Sequence, residues 1–83
     1  MAVEARSEDY GMLQHVIDTL FLNRKRVPRL DLILEAEAAD LNPELMEIVT
    51  LLPAGTYTRH RMCMQLNSAL TGHGWGMKYG TVE

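Results

Sequence analysis

Apolar residues recur at helical spacing in four stretches of the chain, and each stretch is bounded by residues that start or stop helices. In the first, Tyr10, Leu13, Val16, Ile17, Leu20 and Phe21 share one face, with Gln14, His15, Asp18 and Thr19 outside it or at its edge. Ser7 is placed to cap this helix, and Glu8 and Asp9 fall in its first turn, where the dipole favours acids. Val27 precedes Pro28, and residues before proline are pushed out of the α region, so the pattern predicts a helix over residues 8–25.

The second helix is predicted over 28–40, opened by Pro28. It is apolar on two sides: Leu30, Ile33, Leu34 and Leu41 form one stripe, interrupted by Glu37, and Leu32, Ala36 and Ala39 form another. Such a helix is expected to be sandwiched, either by helices of its own domain or by a second subunit, which admits a homodimer. Asn42-Pro43-Glu44 caps and opens a third helix over 43–52, with Leu45, Ile48, Val49 and Leu52 as its buried face. Pro53-Ala54-Gly55 ends it, and Thr58 caps a fourth over 59–71 that turns Met62, Cys63, Leu66, Ala69 and Leu70 inward, with Gly72 as its left-handed terminator. From 73 to 83, glycines break any helix while Trp75, Met77 and Tyr79 alternate with smaller or polar residues, which reads as a weak strand signal. No internal repeat is evident. The predicted class is mainly all-α: one small four-helix domain spanning 1–83, orthogonal or bundle-like, with a short β-like aromatic tail.

Composition supports a folded core. Of 83 residues, 47% are hydrophobic, enough to offset ordering entropy, and six Met against one Phe and one Trp make that core aliphatic and adaptable. No run approaches the ~18 apolar residues of a membrane span, and Glu4 and Arg6 stand where a secretory signal needs an apolar stretch. Cys63 is the only cysteine, which excludes an intrachain disulfide, so a cytoplasmic location is expected.

The net charge of −3 hides a blockwise distribution. Arg24, Lys25, Arg26 and Arg29 stand together without an acid, whereas 30–47 carries Asp31, Glu35, Glu37, Asp40, Glu44 and Glu47 without a base. Arg59, Arg61 and Lys78 then face only Glu83. The first basic cluster is read as charge offsetting the dipole at a helix C-terminus, ahead of an anion patch.

Candidate chemistry is sparse. His60 and Cys63 are one helical turn apart and could form a thiolate–imidazole pair, but Cys63 lies on the apolar side, where cysteine behaves as an inert small hydrophobe. His60, Cys63, His73 and the distant His15 match no metal-binding spacing, and the glycines at 72, 74 and 76 follow a helix instead of opening one, so neither metal nor cofactor is expected. The outward face of the fourth helix is richer. Arg61, Met64 and Ser68 oppose Leu66, flanked by His60, Gln65, Asn67 and Thr71, with Arg59 at the helix start. From Asn42 onward, the order helix, glycine-containing turn, helix, glycine-broken strand resembles a helix-turn-helix with a wing, which would imply DNA readout by Arg, Asn and Gln side chains.

The leading expectation is a non-enzymatic regulatory or adaptor protein that binds a protein partner. Its surface would be Arg59, His60, Arg61, Met64, Gln65, Asn67 and Ser68, completed by Trp75, Lys78 and Tyr79, because Trp, Tyr, Met and Arg are enriched at interface cores. A winged-helix-like DNA-binding module is the alternative, opposed by the acidic net charge, and an enzyme using Cys63 and His60 ranks third.

Overall fold

Leu13, Val16, Ile17 and Leu20 are matched, at the same spacing, by Leu45, Ile48, Val49 and Leu52, and this repetition governs the architecture. In the computed structural model, which describes residues 7–83, all eight are buried. The first set lies on α1 (Met12–Leu20); the second lies on α3 (Pro43–Thr50) and the turn after it. Each helix leads through a loop to a three-residue strand, β1 (Arg26–Pro28) or β2 (Thr56–Thr58). Each strand runs directly into a second helix, α2 (Arg29–Ala38) or α4 (Arg59–Gly72), and a short α5 (Gly76–Tyr79) ends the helical order.

The two strands pair antiparallel, with Val27 opposite Tyr57, Arg26 opposite Thr58 and Pro28 opposite Thr56. This register is symmetric about the Val27/Tyr57 pair, whose side chains are both buried, and it joins two helix–strand–helix units of like design. The correspondence continues into the second helices, where Leu32 and Ala36 match Met62 and Leu66 as buried positions. The chain therefore contains an internal repeat, against the sequence expectation. It repeats burial and not residue type, and the connection from Leu52 to Tyr57 is two residues shorter than that from Leu20 to Val27, so no single offset aligns the units.

The strands also correct the first helix. Residues 26–28 bond to β2, so α1 stops at Leu20 instead of reaching 25. At its other end Ser7 caps a separate turn, its Oγ accepting the Asp9 N–H at 3.0 Å, and Gly11 at φ 88° divides that turn from α1. Tyr10, assigned by pattern to the buried face, is consequently 41% exposed. The caps of the third and fourth helices stand where the sequence puts them: Asn42 Oδ1 accepts from Leu45 N–H at 2.9 Å and Thr58 Oγ1 from Arg61 N–H at 3.3 Å.

Both second helices end in the same way. In α2, Leu41 N–H bonds Ala36 O and Asp40 N–H bonds Glu37 O, with Asp40 at φ 57°. In α4, Trp75 N–H bonds Leu70 O and Gly74 N–H bonds Thr71 O, with Gly74 at φ 73°. These are Schellman closures, which satisfy the last carbonyls through one left-handed residue. Gly74, not Gly72, is therefore the terminator of α4.

The tail departs furthest from expectation. Residues 76–79 are the helix α5 and not a strand, because Lys78 N–H, Tyr79 N–H and Gly80 N–H all bond backward within the turn, and Tyr79 packs into the core. On α2 the side of Leu32 and Ala36 faces inward between α1 and α3, and the other stripe is divided: Leu41 is buried and Ile33 packs against the core, whereas Leu30 and Leu34 are 62% and 53% exposed.

The basic cluster is also reassigned. Arg29 reaches the C-terminus of α3, donating to Leu52 O at 2.6 Å and Thr50 O at 2.9 Å, and Arg24 pairs with Asp31 at 2.7 Å. None of these side chains sits in the last turn of α1. Residues 1–6, with Glu4 and Arg6, lie outside the described residues, and no helix among the described residues is long and apolar enough to cross a membrane. The described residues form a small, mainly helical domain of five helices and one antiparallel strand pair.

Candidate functional site

The C-terminal residues lie between α1 and α4 and are held there by two side-chain amides. Asn67 donates from Nδ2 to Val82 O at 2.8 Å and accepts Val82 N–H at 2.7 Å. Gln14 on α1 does the same for the next residue, accepting Glu83 N–H at 2.8 Å and donating to Glu83 O at 2.9 Å. Each amide thus meets one donor and one acceptor of the main chain, as a neighbouring strand would. Arg59 completes the clamp, with Nη2 and Nε on Glu83 O at 2.9 and 3.2 Å and Nη2 also on Asp18 of α1. The Gln14 amide and then the Arg59 guanidinium hold the Asp18 carboxyl below its usual range.

Beside the clamp, α4 and the tail enclose an open cleft of about 520 Å³, lined by Arg59, His60, Cys63, Met64, Asn67, Val82 and Glu83. Cys63 and Val82 are buried at its base. Burial pushes the Cys63 thiol up, which lowers its thiolate fraction. Among the described residues no group of three or more His, Cys, Asp or Glu converges on a point where a metal ion could be held.

Of the residues singled out by sequence, the structure brings Arg59, His60, Met64 and Asn67 together around this cleft, and it leaves Arg61, Gln65 and Ser68 exposed on the adjoining face of α4. His60, Arg61 and Gln65 have no side-chain hydrogen bond or ion pair among the described residues. Trp75, Lys78 and Tyr79 belong to a different cluster. Trp75 lies against His73 in a tilted pair at a centroid distance of 4.7 Å and meets Tyr79 edge-on at 6.1 Å. Tyr79 OH donates to Glu44 Oε1 at 2.5 Å, and Lys78 Nζ bonds the same oxygen at 2.8 Å while lying 5.1 Å from the centre of the Tyr79 ring. Asn42 joins the cluster through Nδ2, bonding Asp9 at 2.7 Å and Tyr79 OH at 3.3 Å, so these side chains fasten α5 to α3 and the N-terminal turn.

Sequence reasoning missed Gln14, Asp18, Val82 and Glu83 as parts of the site. Gln14 and Asp18 are visible as a polar pair one turn apart on α1, and Gln14 Nε2 does bond Asp18 at 2.9 Å, but no local pattern announces that the tail docks beside them. Comparison with known proteins finds no match to any protein-family model, to any curated protein or to any solved structure.

Proposed function

We propose that this chain is a non-enzymatic interaction module that binds a protein partner through the outward face of α4 and its cleft. The observation that carries this reading is Met64: it is 58% exposed, lies on the rim of the cleft, and is surrounded by His60, Arg61 and Gln65, none with an intramolecular partner among the described residues. An apolar side chain ringed by unengaged polar groups beside a concave, apolar-floored cleft has the composition of an interface centre, where Met and Arg are enriched. The surface suits a segment that presents an apolar side chain to the cleft and an acidic group to Arg61.

Affinity capture with the wild-type chain and with a Met64→Asp/Arg61→Glu variant tests the reading. A protein retained by the first and lost by the second, with unchanged circular dichroism, is the expected outcome; equal retention by both overturns it. Titration against mixed duplex DNA at low salt is the companion arm. Phosphate attraction shows first under those conditions, so binding that Arg61→Glu abolishes would replace a protein partner with DNA.

A further inference from the structure

The second helices of the two units expose faces that complement each other. On α2 the outward row is Leu30, Leu34 and Glu37; on α4 it is Arg61, Met64 and Ser68. The intervals are four then three residues in α2 and three then four in α4, so the rows match when the helices run antiparallel. In that register Leu34 lies on Met64, Glu37 meets Arg61, and Leu30 lies beside Ser68. Glu37 and Arg61 are both exposed, and neither has a side-chain partner among the described residues.

We infer that α2 of one molecule docks antiparallel on α4 of a second copy of this chain, with Leu34 against Met64 and Glu37 paired with Arg61. Charge selects this pairing. Contact of α2 with α2 would leave Glu37 facing an outward row that holds no base, and contact of α4 with α4 would leave Arg61 facing a row that holds no acid. Antiparallel α2 on α4 instead joins the acidic helix to the basic one and sets Glu37 opposite Arg61. It also covers Leu30, Leu34 and Met64, which are otherwise large apolar side chains left in water. A single helix pair buries less than the roughly 1,200 Å² of a stable complex, so the association is weak and depends on concentration. The inference rests on the reading of the α4 face as a contact surface and names a second copy as its occupant.

Sedimentation equilibrium of the full chain from about 10 μM to about 1 mM reads the association directly, across the range where a contact of this size is populated. The expected result is an average mass that rises above the monomer with concentration and falls back with added salt. Glu37→Arg or Arg61→Glu alone should weaken association about fivefold, and the double reversal should restore it, because one ion pair is exchanged for its mirror image. Circular dichroism confirms the fold of each variant, which exposed positions should preserve. A monomer at every concentration, single reversals without effect, or a double reversal that fails to restore association each overturns the inference. If the protein is monomeric but Met64→Asp/Arg61→Glu still abolishes capture of another protein, only the second copy is wrong; if the variant changes neither mass nor capture, the α4 surface falls with it.

Discussion

Asn67 shows how much one side chain contributes by satisfying a main-chain donor and acceptor together. Its two bonds to Val82 are 2.7 and 2.8 Å long and partly buried, and water replaces them incompletely when the amide is removed. Asn67→Ala should therefore lower unfolding stability by about 1–2 kcal/mol, measured by urea titration. Glu44 is the other residue on which several contacts converge. The bond from Lys78, and then that from Tyr79, lowers its carboxyl pKa; the same Lys78 bond raises the lysine, and desolvation followed by the Glu44 bond raises the Tyr79 phenol. A carboxylate with a lowered pKa stabilises the fold above its unfolded-state value and loses that contribution as pH falls through its folded-state value. Lys78 and Tyr79 act in the opposite direction: their contributions are complete below their unfolded-state values and fade as pH rises through the raised ones. The stability difference between wild type and Glu44→Gln should accordingly be level across neutral pH and shrink in both acid and strong alkali, as read from urea midpoints along a pH series.

At the scale of the element, the ends of the helices were the most legible feature where they depend on neighbours in sequence. Asn42 and Thr58 cap as their types and spacing require, and α3 with the turn after it buries the four residues the periodicity selects, Leu52 lying in that turn. The end of α2 was harder to read, because its left-handed position is filled by Asp40 and not by glycine. A side chain at positive φ carries a steric cost that glycine avoids, and aspartate tolerates it only in part. Asp40→Gly should stabilise the protein by about 0.5–1 kcal/mol, raising the midpoint of thermal or chemical unfolding. The same substitution removes one acid from a crowded acidic stretch, which acts in the same direction. Element length was legible only where no distant partner intervened. Residues 21–25 looked helical in isolation, but the demand of β2 for a partner at 26–28 ended α1 early.

The whole molecule is two units joined by the strand pair, by the shared apolar core and by the packing of α2 on α3. The N-terminal turn is tied in as well, since Ser7 N–H bonds Lys78 O and Gly11 N–H bonds Tyr79 O. With one core continuous through both units, neither can unfold without exposing apolar surface on the other. Loss of helical circular dichroism and the change in fluorescence of Trp75, which lies in the second unit, should therefore coincide in a single transition. Two separated transitions would show that the units unfold independently. Closure between α1 and α4 depends largely on the tail, because the Gln14, Asn67 and Arg59 bonds to Val82 and Glu83 span that gap.

Sequence alone determined the helical character of the chain, most of the buried faces of α1, α3 and α4 (Tyr10 excepted), the caps at Asn42 and Thr58, and the exposed row on α4. All of these follow from interactions within a few turns, where side-chain spacing decides which atoms can meet. Tertiary structure decided the rest. Strands of three residues carry too little alternation to be seen locally, and Val27 and Tyr57 acquire a common role only when they are paired. On α2, two apolar sides competed, and only the position of its neighbours turned Leu32 inward and left Leu34 in solvent. The tail, with the aromatic alternation of a strand, became a helical turn because Tyr79 could bury its ring and give its hydroxyl to Glu44, a partner 35 residues away that no local pattern supplies.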